Sequence, residues 1–140
     1  MKYTGLILSF ALVLNILSTG CSENGDNHSK SDSLSLNAGE KWKVDSNMKV
    51  FMDQMIGDVD ESASQSDIDY AALKGKLEVG TDGLISNCTM TGQAHEELHK
   101  WLIPFMETIN RFDTDLSGEQ KSDWLSEIRT SLAQFQQFFE

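Results

Sequence analysis

Proline is nearly absent from this chain: Pro104 is the only one in 140 residues. Val is sparse and Tyr is limited to 2 residues, so the turns and strands of a β-sandwich or barrel lack their usual composition. Basic residues are also scarce, with 11 Lys and Arg against 22 Asp and Glu and a net charge of −11. Nucleic-acid recognition needs a basic footprint, and none is expected here. The chain has no C-x-x-C-H motif, which excludes covalently attached c-type haem. Its length suits one domain.

Long hydrophobic runs are limited to the N-terminus. Lys2 precedes an apolar stretch from Gly5 to Leu17, followed by the small residues Ser18, Thr19 and Gly20 and then Cys21. The stretch is shorter than the ~20 residues that span a bilayer. A charged start, a short apolar run and small residues describe an export signal. With Cys21 at its end, the segment resembles a bacterial lipoprotein signal. That resemblance implies cleavage after residue 20, lipidation of Cys21 and a bacterial cell-envelope location. Ser22 after the Cys resembles the outer-membrane sorting pattern. Ser18 departs from the family's lipobox, which usually has Leu there. The plain alternative is an ordinary secretory signal followed by an unrelated Cys. An acidic surface is repelled by anionic headgroups, so the lipid, not a basic patch, is the expected membrane contact.

Residues 21–40 are rich in Ser, Asn, Gly and acids, without a periodic apolar face, and read as a flexible tether. His28 within it reads as a solvated linker residue. Residues 41–140 form the expected folded domain, with apolar residues recurring at steps of three and four. The first helical seam, after an Asp45 or Ser46 cap, is Met48, Phe51, Met52, Met55 and Val59. The second, from near Asp67, is Leu73, Leu77, Gly80, Leu84 and Cys88. Gly80 and Gly83 weaken it by about 1 kcal/mol each and mark a point where it can divide in two. The third, from Thr91, carries His95, Leu98, His99, Leu102, Phe105, Met106 and Ile109, with a bend expected at Pro104. The fourth opens on Ser117-Gly118-Glu119-Gln120, a capping-box pattern, and its seam is Trp124, Leu125, Ile128, Leu132, Phe135 and Phe139. The expected fold is all-α, an antiparallel four-helix bundle.

The residues with chemical potential cluster between Cys88 and Trp101. If Cys21 carries lipid, Cys88 has no partner within the chain and is a core thiol, an intermolecular bridge or a ligand. His95 and His99 lie one turn apart on one face, a spacing from which two imidazoles reach one metal ion. Cys88 and Met90 add soft sulfur donors, as does the Met48, Met52 and Met55 stripe, which favours copper, with zinc the other candidate. The bland alternatives are core packing for the methionines and a hydrogen-bonded structural role for the histidines. An interaction module without metal is the competing class, in which the acidic face or Phe135, Phe138 and Phe139 dock an envelope protein.

His95-Glu96-Glu97-Leu98-His99 matches H-E-x-x-H and so resembles the zinc peptidases, in which Glu96 would be the general base. Glu119-Gln120-Lys121-Ser122-Asp123 is similar to the E-x-x-S-D of the thermolysin-like family, which would make Glu119 a third ligand. That family is much larger and offers an edge strand to its substrate, and no strand is evident here. Glu119 also has a structural explanation, because an acid in a first helical turn offsets the helix dipole. The run CTMTGQAHEELHKWLIPF resembles small bacterial envelope lipoproteins, a likeness that implies no particular activity. More distantly the chain resembles cytochrome b562-like four-helix bundles. That likeness implies haem b ligation in which Met48 or Met52 plays the methionine part, although the histidines stand on helix three and not on the last helix.

Overall fold

The computed structural model describes residues 33–140. It is all-α, a four-helix bundle of α1 (Ser46–Ala63), α2 (Tyr70–Ser86), α3 (Gly92–Asn110) and α4 (Gly118–Phe138). Among the described residues the only β-type pairings are the isolated bridges of Asn37 with Glu40 and Trp42 with Phe139. Cys21, the expected export signal and His28 lie outside the described residues.

Two of the four helices, α2 and α4, begin where a side chain supplies a partner for free backbone N–H groups. At α4 the expected capping box is complete: Ser117 Oγ accepts from the Gln120 N–H at 3.2 Å, and Gln120 Oε1 accepts from the Ser117 N–H at 2.9 Å. Asp69, not Asp67, caps α2 by accepting the Ala72 N–H at 2.9 Å. Asp45 occupies the cap position of α1 but makes no capping bond there. Its carboxylate is used elsewhere.

The seams become one core. Met48, Met52, Met55, Leu73, Leu77, Leu84, Leu98, Trp101, Phe105, Ile128 and Phe139 are almost fully buried. The methionine stripe of α1 is therefore packing. Phe135 and Phe139 are buried and stack with centroids 4.9 Å apart, while Phe138 is half-buried against the core.

α2 is continuous through Gly80 and Gly83, and the two glycines have a positive reason to be there. A Cβ on Gly80 would lie 2.4 Å from Met55 Cγ, and one on Gly83 would lie 2.3 Å from a ring carbon of Phe51. The missing side chains let α1 and α2 approach, and the packing gained offsets the weak helix propensity of glycine. Lys76 donates to the buried Asp58 at 2.9 Å across the same interface. That hydrogen bond, and the charge of Asp58, hold the Lys76 ammonium above its ordinary pKa. Contacts from 51 to 83, 55 to 80 and 58 to 76 show that the two helices run in opposite senses.

The second pair is joined differently. The Trp101 indole N–H donates to Ser131 O, and the Trp124 indole N–H donates to Thr108 O, each at 2.8 Å. These bonds give α3 and α4 opposite senses as well. α3 runs unbroken through Pro104.

Residues 33–44 lie along the bundle. The Trp42 N–H donates to Phe138 O and the Trp42 O accepts from the Glu140 N–H, both at 2.8 Å, while the Val44 N–H donates to Glu140 O at 2.9 Å. Specific contacts thus begin upstream of Lys41, the expected domain start. Leu34 packs against the core, and Ser35 is held by α3.

Candidate metal site at the corner between α2 and α3

Cys88 lies beyond the end of α2, in the loop that leads to α3, and not on the α2 seam. The helix stops at Ser86, so its last turn does not carry the thiol inward. Cys88 is half-buried against the core, as is Met90 two residues on. Asp45 shapes this loop. Its carboxylate accepts from the Thr89 N–H at 2.8 Å and from Thr89 Oγ1 at 2.7 Å. The Thr89 hydroxyl, followed by the Thr89 N–H, holds the Asp45 carboxyl below its ordinary pKa. Asn47 donates to Asn87 O at 2.8 Å and Asn87 donates to Gly83 O at 2.8 Å. The start of α1 and the end of α2 thus grip the loop from both sides.

α3 then turns its first histidine onto the thiol. Cys88 Sγ stands 3.5 Å from His95 Nδ1. The ring of His99, one turn later, has its centroid 4.3 Å from that of His95. His95 is half-buried and His99 exposed, so His99 is not part of the buried stripe. That stripe is Leu98, Trp101, Leu102, Phe105 and Ile109, with Glu97 among them. Among the described residues, no three His, Cys, Asp or Glu side chains stand together at metal-holding distances. Cys88 and His95 are the pair brought into contact.

The remaining candidates are not brought to this corner. Glu119 is exposed in the first turn of α4. Trp124 of α4 lies beside Thr108, whereas Trp101 lies beside Ser131. Glu119 therefore belongs to the far end of α3, more than about 13 Å along the helix axis from His99 at 1.5 Å per residue. Its place is that of a dipole-offsetting first-turn acid. Met48 and Met52 are sealed in the core. The cleft between α2 and α3 and the cleft between α1 and α2 are lined by other residues than these. Glu96 is exposed on the turn between the two histidines.

Glu97 was not singled out by its chemistry, although its position four residues before Trp101 and eight before Phe105 puts it on the buried face. It is 3% exposed. Its carboxylate accepts from Lys100 Nζ at 2.7 Å, from the Ser35 N–H at 2.9 Å and from Ser35 Oγ at 3.0 Å. Burial alone would raise the carboxyl pKa, but the bonds from Lys100 and Ser35 outweigh it and hold the group below its ordinary value. This is a structural anchor for the N-terminal segment.

Comparison with protein-family models, curated proteins and solved structures found no match to this chain.

Proposed function

We propose that this chain is a lipid-anchored bacterial envelope protein whose helical domain binds a soft transition-metal ion, copper(I) or zinc, without catalysing a reaction. The anchor rests on the apolar run, the small residues and Cys21. The metal reading rests on one observation, the 3.5 Å between Cys88 Sγ and His95 Nδ1. Tetrahedral zinc with bonds of about 2.3 Å to sulfur and about 2.0–2.1 Å to nitrogen separates those two ligands by about 3.5 Å. The pair already has the spacing of one edge of such a site. His99 would complete it by turning its exposed ring, with Met90 the sulfur donor available from the same loop. An ion fits this corner better than haem, because both methionines that haem would use are packed in the core.

A thiol hydrogen-bonded to an imidazole has the same spacing, and calorimetry separates the two. Zinc, or copper(I) under reducing conditions, should bind the full chain in detergent at one equivalent and raise its unfolding temperature. The stabilisation expected is about 2.7 kcal/mol at one hundred times the dissociation constant. Bound metal should protect Cys88 from alkylation, and acidification should release it, since the binding forms are thiolate and neutral imidazole. Cys88→Ser and His99→Ala should each weaken binding by about tenfold or more. An unfolding curve indifferent to both metals would overturn the reading. For the anchor, Cys21→Ala should remove the chain from the membrane fraction or leave it unprocessed.

A further inference from the structure

α2 is seated closely on α1 through Gly80 and Gly83, and a cleft of about 540 Å³ remains between it and α3. The lining of the cleft is mixed, with Val79, Met106 and Ile109 apolar and Thr81 and Asn110 polar. Ile109 is buried there, Met106 is half-buried, and Val79 on the α2 side is 71% exposed. Ile103, one turn before Met106 on α3, is 54% exposed. Val79 and Ile103 thus leave exposed aliphatic surface on the α2 and α3 sides. The α2 lip carries Glu78 and Asp82, spaced i and i+4. Glu78 is paired with Lys74 of its own helix, and Asp82 is exposed.

We infer that this cleft is a docking groove for a cationic amphipathic helix of another protein. Its volume is within the range of sites that enclose several large side chains. A helix laid in it would place apolar residues at i, i+3 or i+4, and i+7 against Val79, Ile103 and Met106. Lys or Arg beside that stripe would meet Asp82 and Glu78, and the net charge of −11 would draw such a segment in from a distance. A second copy of this chain is the wrong complement. It carries the same strong negative charge, and this lip offers it no basic surface to meet.

The probe is a labelled 14-residue Leu/Lys amphipathic helix, followed by fluorescence anisotropy with the full chain in non-ionic detergent. The micelle takes up peptide equally for every variant, so differences between variants report the cleft. The Leu/Lys helix should bind the parent chain better than a scrambled peptide of the same composition. The double variant Val79→Ser with Ile103→Ser should weaken binding by about fivefold or more. Asp82→Lys should weaken it comparably at low salt and less at high salt. All these positions are exposed, and unchanged helical circular dichroism checks that the fold is kept. Equal binding of a Leu/Glu helix would overturn the inference, as would binding indifferent to these substitutions. Self-association of the chain through this face, or capture of the groove by the chain's own residues 1–32, would overturn it too.

Discussion

The two helix pairs of this bundle are held together by opposite means. α1 and α2 meet where side chains are missing, with Met55 and Phe51 resting on Gly80 and Gly83. α3 and α4 meet where side chains are largest, with Trp101 and Trp124 reaching across to main-chain oxygens, Trp101 stacked on Phe105 and tilted against Phe135, and Trp124 tilted against Phe112. The first interface should therefore fail when atoms are added, and the second when atoms are removed.

The largest effect is expected at Trp101. Trp101→Ala removes a buried indole and its hydrogen bond to Ser131 O, costing about 3–5 kcal/mol by denaturant unfolding. If the cost is under 1 kcal/mol, the second pair is not held by its aromatics and the contrast is lost. Gly80→Val tests the first pair by overpacking. The added carbons fall on Met55, which is fully buried, so a loss of about 1–3 kcal/mol is expected. Gly57→Ala, where a Cβ meets nothing within 4 Å, should instead stabilise by up to about 1 kcal/mol. Equal effects at the two glycines would remove the case for close approach.

A smaller loss than at Trp101 is expected at Glu97. Its folded pKa lies below the ordinary 4.5, so its contribution is complete above that value. It is lost as pH falls through the lower folded value, when the carboxyl is protonated. Glu97→Gln keeps an acceptor for Ser35 but not the charge for Lys100. It should cost about 1–2 kcal/mol near neutrality and lessen the acid sensitivity of unfolding below pH 4.5. Identical acid limbs in the two proteins would assign that sensitivity to other carboxylates.

Periodicity carried the fold because each helix here buries a local stripe. Met48 to Val59 and Trp124 to Phe139 are spaced for burial, and both stripes are buried in the core apart from the half-buried Phe51. The Ser117 capping box is equally local, closing within four residues. The close approach at Gly80 was hidden, because helix propensity counts a glycine as a loss and cannot register the helix packed against it. The loop around Cys88 depends on Asp45, 44 residues away from Thr89, and the anchoring of Glu97 depends on Ser35, 62 residues away. Neither partnership leaves a periodic mark. The histidine pair was legible from its spacing alone, whereas the displacement of Glu119 to the far end of α3 required the helix senses.

The segment from Ser33 to Val44 has a mechanical consequence. Its main chain is laced to Phe138 and Glu140 at one point and its Ser35 is clasped by Glu97 at another. A pull arriving from the N-terminal side meets these two knots before it reaches α1. Tension is thus passed sideways into α3 and the tail of α4, as a strain relief spares the joint at the end of a cable. α1 and α2, whose ends grip the Cys88 loop, stay unloaded until both knots have slipped.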